Sequence, residues 1–247
     1  MSLDPQLCRR LARSSMNPDF FSSLNNPVDF YIIRHGQSEG NASKILQGRK
    51  EYPLSEKGRI QSSVRGGALK QVLKGHKTLL FSSPMGRARE TAYIIAEEAG
   101  LPEPVFSETL VEMDLGIWTG KNWDEARNDK PNLWADFMVR SWDAIPNAET
   151  SAELYARSLC FWAEMRDAAA ASSAEKIVAV THGGLIQWLL KCTFRNRSWF
   201  PLFPISNCGQ FKLNVKPHPK EKSAYMGWEE IDAPIPDQQA EPKGFPS

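Results

Sequence analysis

The sequence predicts an α/β fold in which a mostly parallel sheet lies between two layers of helices, a three-layer α/β/α sandwich. Short apolar runs typical of buried strands alternate along the chain with longer segments whose apolar residues recur at helical spacing. The last of the short runs alternates between apolar and polar residues, which predicts an antiparallel strand at one edge of the sheet.

Each predicted strand is a run of β-branched, aromatic or other apolar residues bounded by turn-forming residues. These strands cover residues 30–33, 78–81, 104–106, 177–180 and 210–215. The flanking composition then divides the chain into an N-terminal arm over residues 1–27, one domain over residues 28–216 and a C-terminal tail over residues 217–247.

The helical segments are predicted from apolar spacing and from capping residues. Ser55 is expected to cap a helix with an apolar face formed by Ile60, Val64, Ala68, Leu69 and Val72. One aromatic-rich helix is expected over residues 123–141, and a long helix is expected to begin near Ser151.

Charge and cysteine content exclude several classes of protein. The charges of the 30 basic and 29 acidic residues nearly cancel, so the chain lacks the overall positive charge that drives nucleic-acid binding. An anionic substrate would instead be bound by a few specifically positioned cationic side chains. Cys8, Cys160, Cys192 and Cys208 are scattered without metal or redox spacing, which predicts reduced thiols in a cytoplasmic protein. No apolar run is long enough to cross a membrane, so no membrane partner is expected.

Four chemically useful side chains follow predicted strands. His35 and His182 come after the first and fourth strands, Arg87 opens the helix after the second, and Glu112 follows the third. Because the carboxyl ends of parallel strands meet at one edge of a sheet, we expect the four to converge. A single histidine after a strand is more often a packed or capping residue, so the functional interpretation depends on the whole set.

Such a set suits phosphoryl transfer. A neutral imidazole is a good nucleophile near pH 7, and the planar forks of Arg34 and Arg87 can bind phosphate oxygens. A protonated His182 and the backbone N–H of Gly183 at a helix start would add donors. Glu112 would give a proton to the leaving alkoxide and then activate water.

Five motifs occur in a fixed order along the chain. They are Arg34-His35-Gly36-Gln37-Ser38-Glu39-Gly40-Asn41, Gln47-Gly48-Arg49 with Pro53-Leu54-Ser55-Glu56-Lys57-Gly58, Ser82-Ser83-Pro84-Met85-Gly86-Arg87-Ala88-Arg89-Glu90-Thr91-Ala92, residues 110–120 around Glu112, and Val180-Thr181-His182-Gly183-Gly184. With these motifs the chain resembles the histidine phosphatase superfamily, in its phosphoglycerate mutase-like branch, from about residue 28 to about residue 215.

The resemblance implies a phosphoglycerate mutase-like fold and a phosphohistidine intermediate on His35. It implies a phosphate pocket formed by Arg34, Arg87 and His182, with Glu112 as the proton donor. It also implies no metal and no cofactor. The residues expected to contact the small phosphorylated substrate are Arg34, Asn41, Gln47, Gly48, Arg87, His182 and Gly183.

Three functions remain open at this point. Only 70 positions separate Glu112 from His182, without the long basic insertion of the mutases in this branch, and Trp118 resembles the phosphatase form of its motif. These features favour a phosphatase over a cofactor-dependent phosphoglycerate mutase. Residues 146–150 also resemble the phosphatase-type Pro-Gly-Gly-Glu-Ser turn, but they depart from it at the Gly-Gly and Ser positions, which leaves the role of Glu149 open. A non-catalytic phospho-ligand binding protein is the third possibility, and the chain is expected to be a monomer or a homodimer.

Overall fold

The computed structural model describes residues 15–235, and six strands within this range form one sheet in the order β3-β2-β4-β1-β5-β6. Their bounds are β1 Val28–Arg34, β2 Thr78–Ser82, β3 Val105–Phe106, β4 Lys176–Thr181, β5 Gln210–Pro217 and β6 Ala224–Ala233. Strands β1 to β4 pair in parallel, whereas β5 is antiparallel to both β1 and β6. The predicted α/β class with a mostly parallel sheet is confirmed.

Seven α-helices accompany the strands within the described range. They are α1 Glu39–Ala42, α2 Glu56–Leu73, α3 Gly86–Ala99, α4 Trp123–Asp129, α5 Pro131–Arg140, α6 Ser151–Ser172 and α7 Gly183–Thr193. The prediction of a single helix over residues 123–141 is wrong, since α4 and α5 are separate. The reason is Pro131, which disfavours a helical backbone at Lys130 (φ −143°, ψ 89°) and starts a new helix at its own position.

Alternate residues of the central strands enter two different hydrophobic cores. Phe30 and Ile32 of β1 pack in a core with α6 and α7, while Tyr31 and Ile33 pack in a second core with α2 and α3. Neighbouring strands β4 and β2 divide their side chains in the same way. This alternation places helices on both faces of the sheet and confirms the three-layer arrangement.

The C-terminal part of the sheet differs from the prediction. Residues 210–215 were predicted as an edge strand followed by a tail from Pro217, but β6 pairs along β5 and is itself the antiparallel edge. Most of β6 is only partly buried, so its sequence lacks the apolar run that marks a buried strand. Trp228 secures it by donating from Nε1 to Thr193 Oγ1 over 2.9 Å.

The described part of the N-terminal segment is also packed, which corrects the expectation of a loosely ordered arm. Met16, Phe21 and Leu24 are buried in the core that contains α6. Arg166 Nη1 donates to the carbonyl of Phe20 over 2.9 Å, which ties the segment to α6. Residues 1–14 of the predicted arm lie outside the described residues.

Helix α2 begins at the predicted cap but buries a different face. Ser55 Oγ accepts a hydrogen bond from the backbone N–H of Gly58, as expected. However, Ile60 and Val72 are 53% and 48% exposed, and the buried side includes Arg65 instead. Arg65 donates to the carbonyl of Cys208, just before β5, and to that of Ala233 in β6, so these hydrogen bonds outweigh simple apolar spacing here.

Cys160, Cys192 and Cys208 are free buried thiols, in line with the predicted reduced cysteines, while Cys8 lies outside the described residues. Among the described helices, none combines the length and the apolar character needed to span a bilayer.

Candidate active site

The two candidate histidines meet at the carboxyl edge of the sheet. Arg34 at the end of β1 pairs in register with Thr181 at the end of β4, and the backbone N–H of His35 donates to the Thr181 carbonyl over 2.9 Å. His35 and His182 therefore leave neighbouring strands side by side, with their ring centroids 5.1 Å apart. Both side chains are buried, at 2% and 0% exposure.

The hydrogen bonds of His35 leave one nitrogen suited to nucleophilic attack. Nδ1 lies 2.6 Å from the carbonyl oxygen of Gly36, which can only accept, so Nδ1 carries the hydrogen. Nε2 then holds a lone pair, which accepts from Arg87 Nε over 3.3 Å. Burial, followed by the charges of Arg87 and Arg34, holds the pKa of His35 well below its usual value. The hydrogen bonds and the lowered pKa therefore both favour a neutral His35 ring with its lone pair on Nε2.

Arg87 is fixed by contacts from all three nitrogens of its guanidinium group. Besides its bond to His35, it donates from Nη1 to the carbonyl of Lys50 over 3.0 Å and from Nη2 to that of Gly48 over 2.8 Å. Burial lowers the pKa of Arg87, while the nearby charge of Glu112 raises it, and an arginine stays charged in either case. These bonds bring the predicted contact residue Gly48 to the same rim as the two candidate histidines.

The Glu112 carboxylate lies against the first turn of α7, the helix that directly follows His182. Its Oε1 accepts from the backbone N–H of Met113 and Leu185 over 2.8 and 3.1 Å, and its Oε2 accepts from that of Gly184 over 3.2 Å. A Cβ atom on Gly184 would lie only 2.5 Å from Oε1, so this approach requires glycine. The carboxylate is thus held beside the second histidine by the first turn of a helix.

Asn41, a predicted substrate contact, is oriented by donors on its side-chain oxygen. Oδ1 accepts from the backbone N–H of Ser38 and from Asn207 Nδ2, each over 3.2 Å. This arrangement assigns the amide oxygen to the protein and leaves the NH2 group as the part that can donate elsewhere. Gln47 is buried and accepts from Ser38 Oγ over 2.8 Å, so its side chain supports this loop.

Asn207 is a site residue that the sequence analysis missed. Its Nδ2 donates to the backbone carbonyl of His35 over 3.2 Å as well as to Asn41. The same irregular segment carries Ile205, whose carbonyl accepts from Arg34 Nη1 over 2.6 Å. The segment between α7 and β5 therefore contacts both Arg34 and His35, although no motif or periodic pattern marks it.

Glu149, whose role the sequence left open, anchors the segment that carries Glu112. Arg157 binds both of its carboxylate oxygens over 2.7 Å, and Arg49 Nη2 reaches Oε2 over 3.1 Å. The two arginines also hold backbone on either side of the proton-donor candidate, with Arg157 on the Val111 carbonyl and Arg49 on the Glu112 carbonyl. Glu149 is therefore a positioning residue in this structure.

Aromatic residues between Glu112 and α6 pack mainly against one another. The buried Trp118 ring lies 5.0 to 5.9 Å from the rings of Trp134, Phe137 and Trp142. Met138 is 60% exposed and does not share this contact. The contacts of these aromatic side chains are those of packing between helices.

Two histidines, two arginines and a glutamate thus surround one buried edge of an α/β sheet. The family model described as histidine phosphatase superfamily (branch 1) matches residues 30–225. The chain belongs to this superfamily.

Individual relatives include enzymes named as mutases and as phosphatases. Phosphoglycerate mutase-like protein 4 of Arabidopsis thaliana is 32% identical over 165 residues, which cover 66% of this chain and 69% of that protein. Probable phosphoglycerate mutase GpmB of Escherichia coli O1:K1 / APEC is 28% identical over 173 residues, 70% of this chain and 77% of the relative. The native structure of mycobacterial glucosyl-3-phosphoglycerate phosphatase is similar with a TM-score of 0.69 and 25% identity, covering 84% of this chain and 100% of that one.

Proposed function

We propose that the protein hydrolyses phosphate monoesters without a metal, through a phosphohistidine intermediate on His35. The observation that carries this proposal is the state of the His35 ring. Its hydrogen is committed to the Gly36 carbonyl, and its lone pair on Nε2 faces the Arg87 guanidinium. A neutral nucleophile beside a fixed cation is what attack on a phosphoryl group requires.

The first half of the reaction transfers the phosphoryl group to the enzyme. His35 Nε2 forms a bond to phosphorus as the bond from phosphorus to the ester oxygen breaks. Arg34, Arg87 and His182 meet the charge on the three equatorial oxygens. Glu112, in its protonated form, gives its proton to the leaving alkoxide.

The second half restores the free enzyme. A water molecule attacks the phosphohistidine, its proton passes to the Glu112 carboxylate, and the bond between phosphorus and His35 Nε2 breaks. Inorganic phosphate leaves and Glu112 is again protonated for the next cycle. The position of the Glu112 carboxylate beside Gly184 and Leu185, immediately after His182, supports this dual role.

A phosphatase is favoured over a mutase by the segment between Glu112 and His182. In the structure this segment contains α4, α5, α6 and β4 with two short 3₁₀ turns, and its aromatic residues pack into the core. A mutase must retain its bisphosphate intermediate. A cofactor-dependent phosphoglycerate mutase is the alternative function, because some relatives are named as phosphoglycerate mutases.

The decisive experiment is phosphate release from a panel of phosphate monoesters in the presence of EDTA, with His35→Ala alongside. Release by the wild type alone supports the proposal, and the ranking of esters identifies the substrate class. Phosphorylation on histidine by a bisphosphoglycerate without release favours the mutase. Phosphate binding without either reaction favours a non-catalytic phospho-ligand binding protein. The cytoplasmic location and the monomeric or homodimeric state stay predictions.

A further inference from the structure

We propose that Ser83 is a positioning residue that fixes His182 as the tautomer with its hydrogen on Nδ1, so that this nitrogen donates to the phosphoryl group. The proposal rests on the phosphatase function proposed above and deepens it. It assigns a task to a buried hydroxyl that the reaction itself does not use.

The contact between the Ser83 and His182 side chains is short and fully buried. Ser83 Oγ lies 2.8 Å from His182 Nε2, and both residues are 0% exposed. Ser83 directly follows β2, and its backbone N–H donates to the Val180 carbonyl of β4 over 2.9 Å. The register of two neighbouring parallel strands therefore sets the distance between the hydroxyl and the imidazole.

The direction of this hydrogen bond follows from counting donors and acceptors. Ser83 Oγ accepts from the backbone N–H of Met85 over 3.3 Å. Among the described residues, the only acceptor recorded for its own hydrogen is His182 Nε2. With the opposite tautomer, the hydrogen of this fully buried hydroxyl would have no acceptor among the described residues, which is unfavourable. Ser83 therefore donates, and Nε2 carries the lone pair.

The other ring nitrogen is then the one that serves the substrate. His182 Nδ1 is buried and has no hydrogen-bond partner among the described residues. Its ring faces the His35 ring at a centroid distance of 5.1 Å. A phosphoryl group bound to His35 would bring an oxygen acceptor to this otherwise unmatched N–H.

The tautomer matters because His182 is neutral. Burial, and then the charge of Arg87, hold the pKa of His182 well below its usual value, which favours a neutral ring over the protonated His182 expected from the sequence. A neutral imidazole has one N–H only. If that hydrogen were on Nε2, a lone pair on Nδ1 would face the phosphoryl oxygens and repel them.

The test compares Ser83→Ala with Ser83→Thr and with the matched control Ser82→Ala. Ser82 is also a fully buried serine, but its hydroxyl donates to the Ser83 carbonyl over 3.0 Å and contacts no histidine. The first readout is the ring ¹⁵N NMR spectrum without substrate, because protonated and unprotonated ring nitrogens have distinct shifts. The chain has four histidines, and the signals of His182 are identified by their loss in His182→Gln.

We expect a single Nδ1–H form of His182 in the wild type and in Ser82→Ala, and a mixture of tautomers in Ser83→Ala. Inorganic phosphate should then bind more weakly to Ser83→Ala, and its kcat/KM should fall by about 10–100-fold, the range expected when a buried hydrogen bond is broken. Ser83→Thr, which keeps the hydroxyl, should restore the Nδ1–H form and most of the activity. Ser83→Cys, a weak donor of similar size, should fall between them.

Two results would overturn the proposal. One is an Nε2–H form of His182 in the wild type. The other is an unchanged His182 spectrum in Ser83→Ala with a loss of activity no greater than that of Ser82→Ala. The NMR and phosphate-binding measurements need no turnover. A protein inactive on every ester would therefore contradict the phosphatase function, while the NMR spectra would still decide the tautomer of His182.

Discussion

Arg87 donates from Nε to His35 Nε2 over 3.3 Å, the nitrogen that would carry the phosphoryl group. The same guanidinium is held by the carbonyls of Gly48 and Lys50. The position of Arg87 is therefore determined by a loop that is distant in sequence. Its guanidinium group is held in place beside His35, the proposed nucleophile. A bound phosphoryl group would lie between these two side chains, with the arginine already oriented toward its oxygens.

Replacing the Arg87 guanidinium group should impair the reaction even when the positive charge is kept. In Arg87→Lys, one ammonium group cannot serve His35, Gly48 and Lys50 together, so we expect kcat/KM to fall by about 10²–10³-fold. Steady-state kinetics on the best ester of the panel measures this. Arg89→Lys is the matched control, because Arg89 lies on the same helix and, within residues 15–235, its side chain donates only to the Pro84 carbonyl. Equal activity of the two variants would refute a role for the Arg87 guanidinium group.

Neutral buried histidines should make the fold sensitive to acid. The pKa of His35 and that of His182 are both lowered by burial, whereas in the unfolded chain each should titrate near about pH 6.5. Below that pH the unfolded state binds more protons than the folded state. The free energy of unfolding should therefore fall as the pH drops, by up to about 1.4 kcal/mol per pH unit for each histidine. Above about pH 6.5 the full stability is retained.

Chemical denaturation between about pH 5 and pH 7 tests this dependence. His182→Gln should show a shallower loss of stability with acid than the wild type, because one of the two protonation sites is removed. His218→Gln removes a histidine from the turn between β5 and β6 and reports the effect of an exposed site. Parallel curves for the wild type and His182→Gln would contradict the expectation.

The outline of the fold and the main site residues could be predicted because they are local in sequence. His35 and His182 each follow an apolar strand directly, and the alternation of strands and helices determines that parallel strand ends meet at one edge. These relationships need only strand order and chain direction, both of which leave a pattern in the sequence.

The supporting contacts could not be predicted, because they join segments far apart in the chain. Asn207 reaches the His35 carbonyl across 172 positions from an irregular segment. Arg65 is buried on α2 because the carbonyls of Cys208 and Ala233 accept hydrogen bonds from its guanidinium group. The spacing of apolar residues gives no sign of these hydrogen bonds. Strand β6 was missed for a related reason, since a half-exposed edge strand carries only a weak apolar pattern.

The ion pair of Glu149 with Arg157 should stabilise the fold and position Glu112. Both side chains are nearly buried, at 10% and 8% exposure, so Glu149→Gln leaves a charged guanidinium without its partner. We expect a loss of about 3 kcal/mol in the free energy of unfolding. Because Arg49 and Arg157 hold the backbone around Glu112, kcat/KM should also fall by about 10–100-fold.

Glu175→Gln provides the control for Glu149. Glu175 pairs with His76 over 2.7 Å, but both side chains are more than two-fifths exposed, at 48% and 43%. Its loss should cost less than about 1 kcal/mol and leave kcat/KM unchanged. Unfolding in denaturant and steady-state kinetics are measured on both variants. Similar stability and activity for Glu149→Gln and Glu175→Gln would show that Glu149 is only a surface charge.

The aromatic cluster around Trp118 decides whether the segment between Glu112 and α6 serves packing or substrate binding. Trp134 and Trp142 each lie within 6 Å of the Trp118 ring and share contacts with Phe137. If packing is their role, Trp134→Ala and Trp142→Ala should each lower the free energy of unfolding by about 2–4 kcal/mol and leave KM unchanged.

Met138→Ala supplies the comparison, because Met138 lies on the same helix as Trp134 and is 60% exposed. It should change neither stability nor KM. The opposite outcome would be a clear rise in KM for Trp134→Ala or Trp142→Ala with little change in stability. That result would place these rings against the substrate and favour an ester whose alcohol carries an apolar or ring portion. Since every ring of the cluster already packs against another ring, we expect the loss of stability.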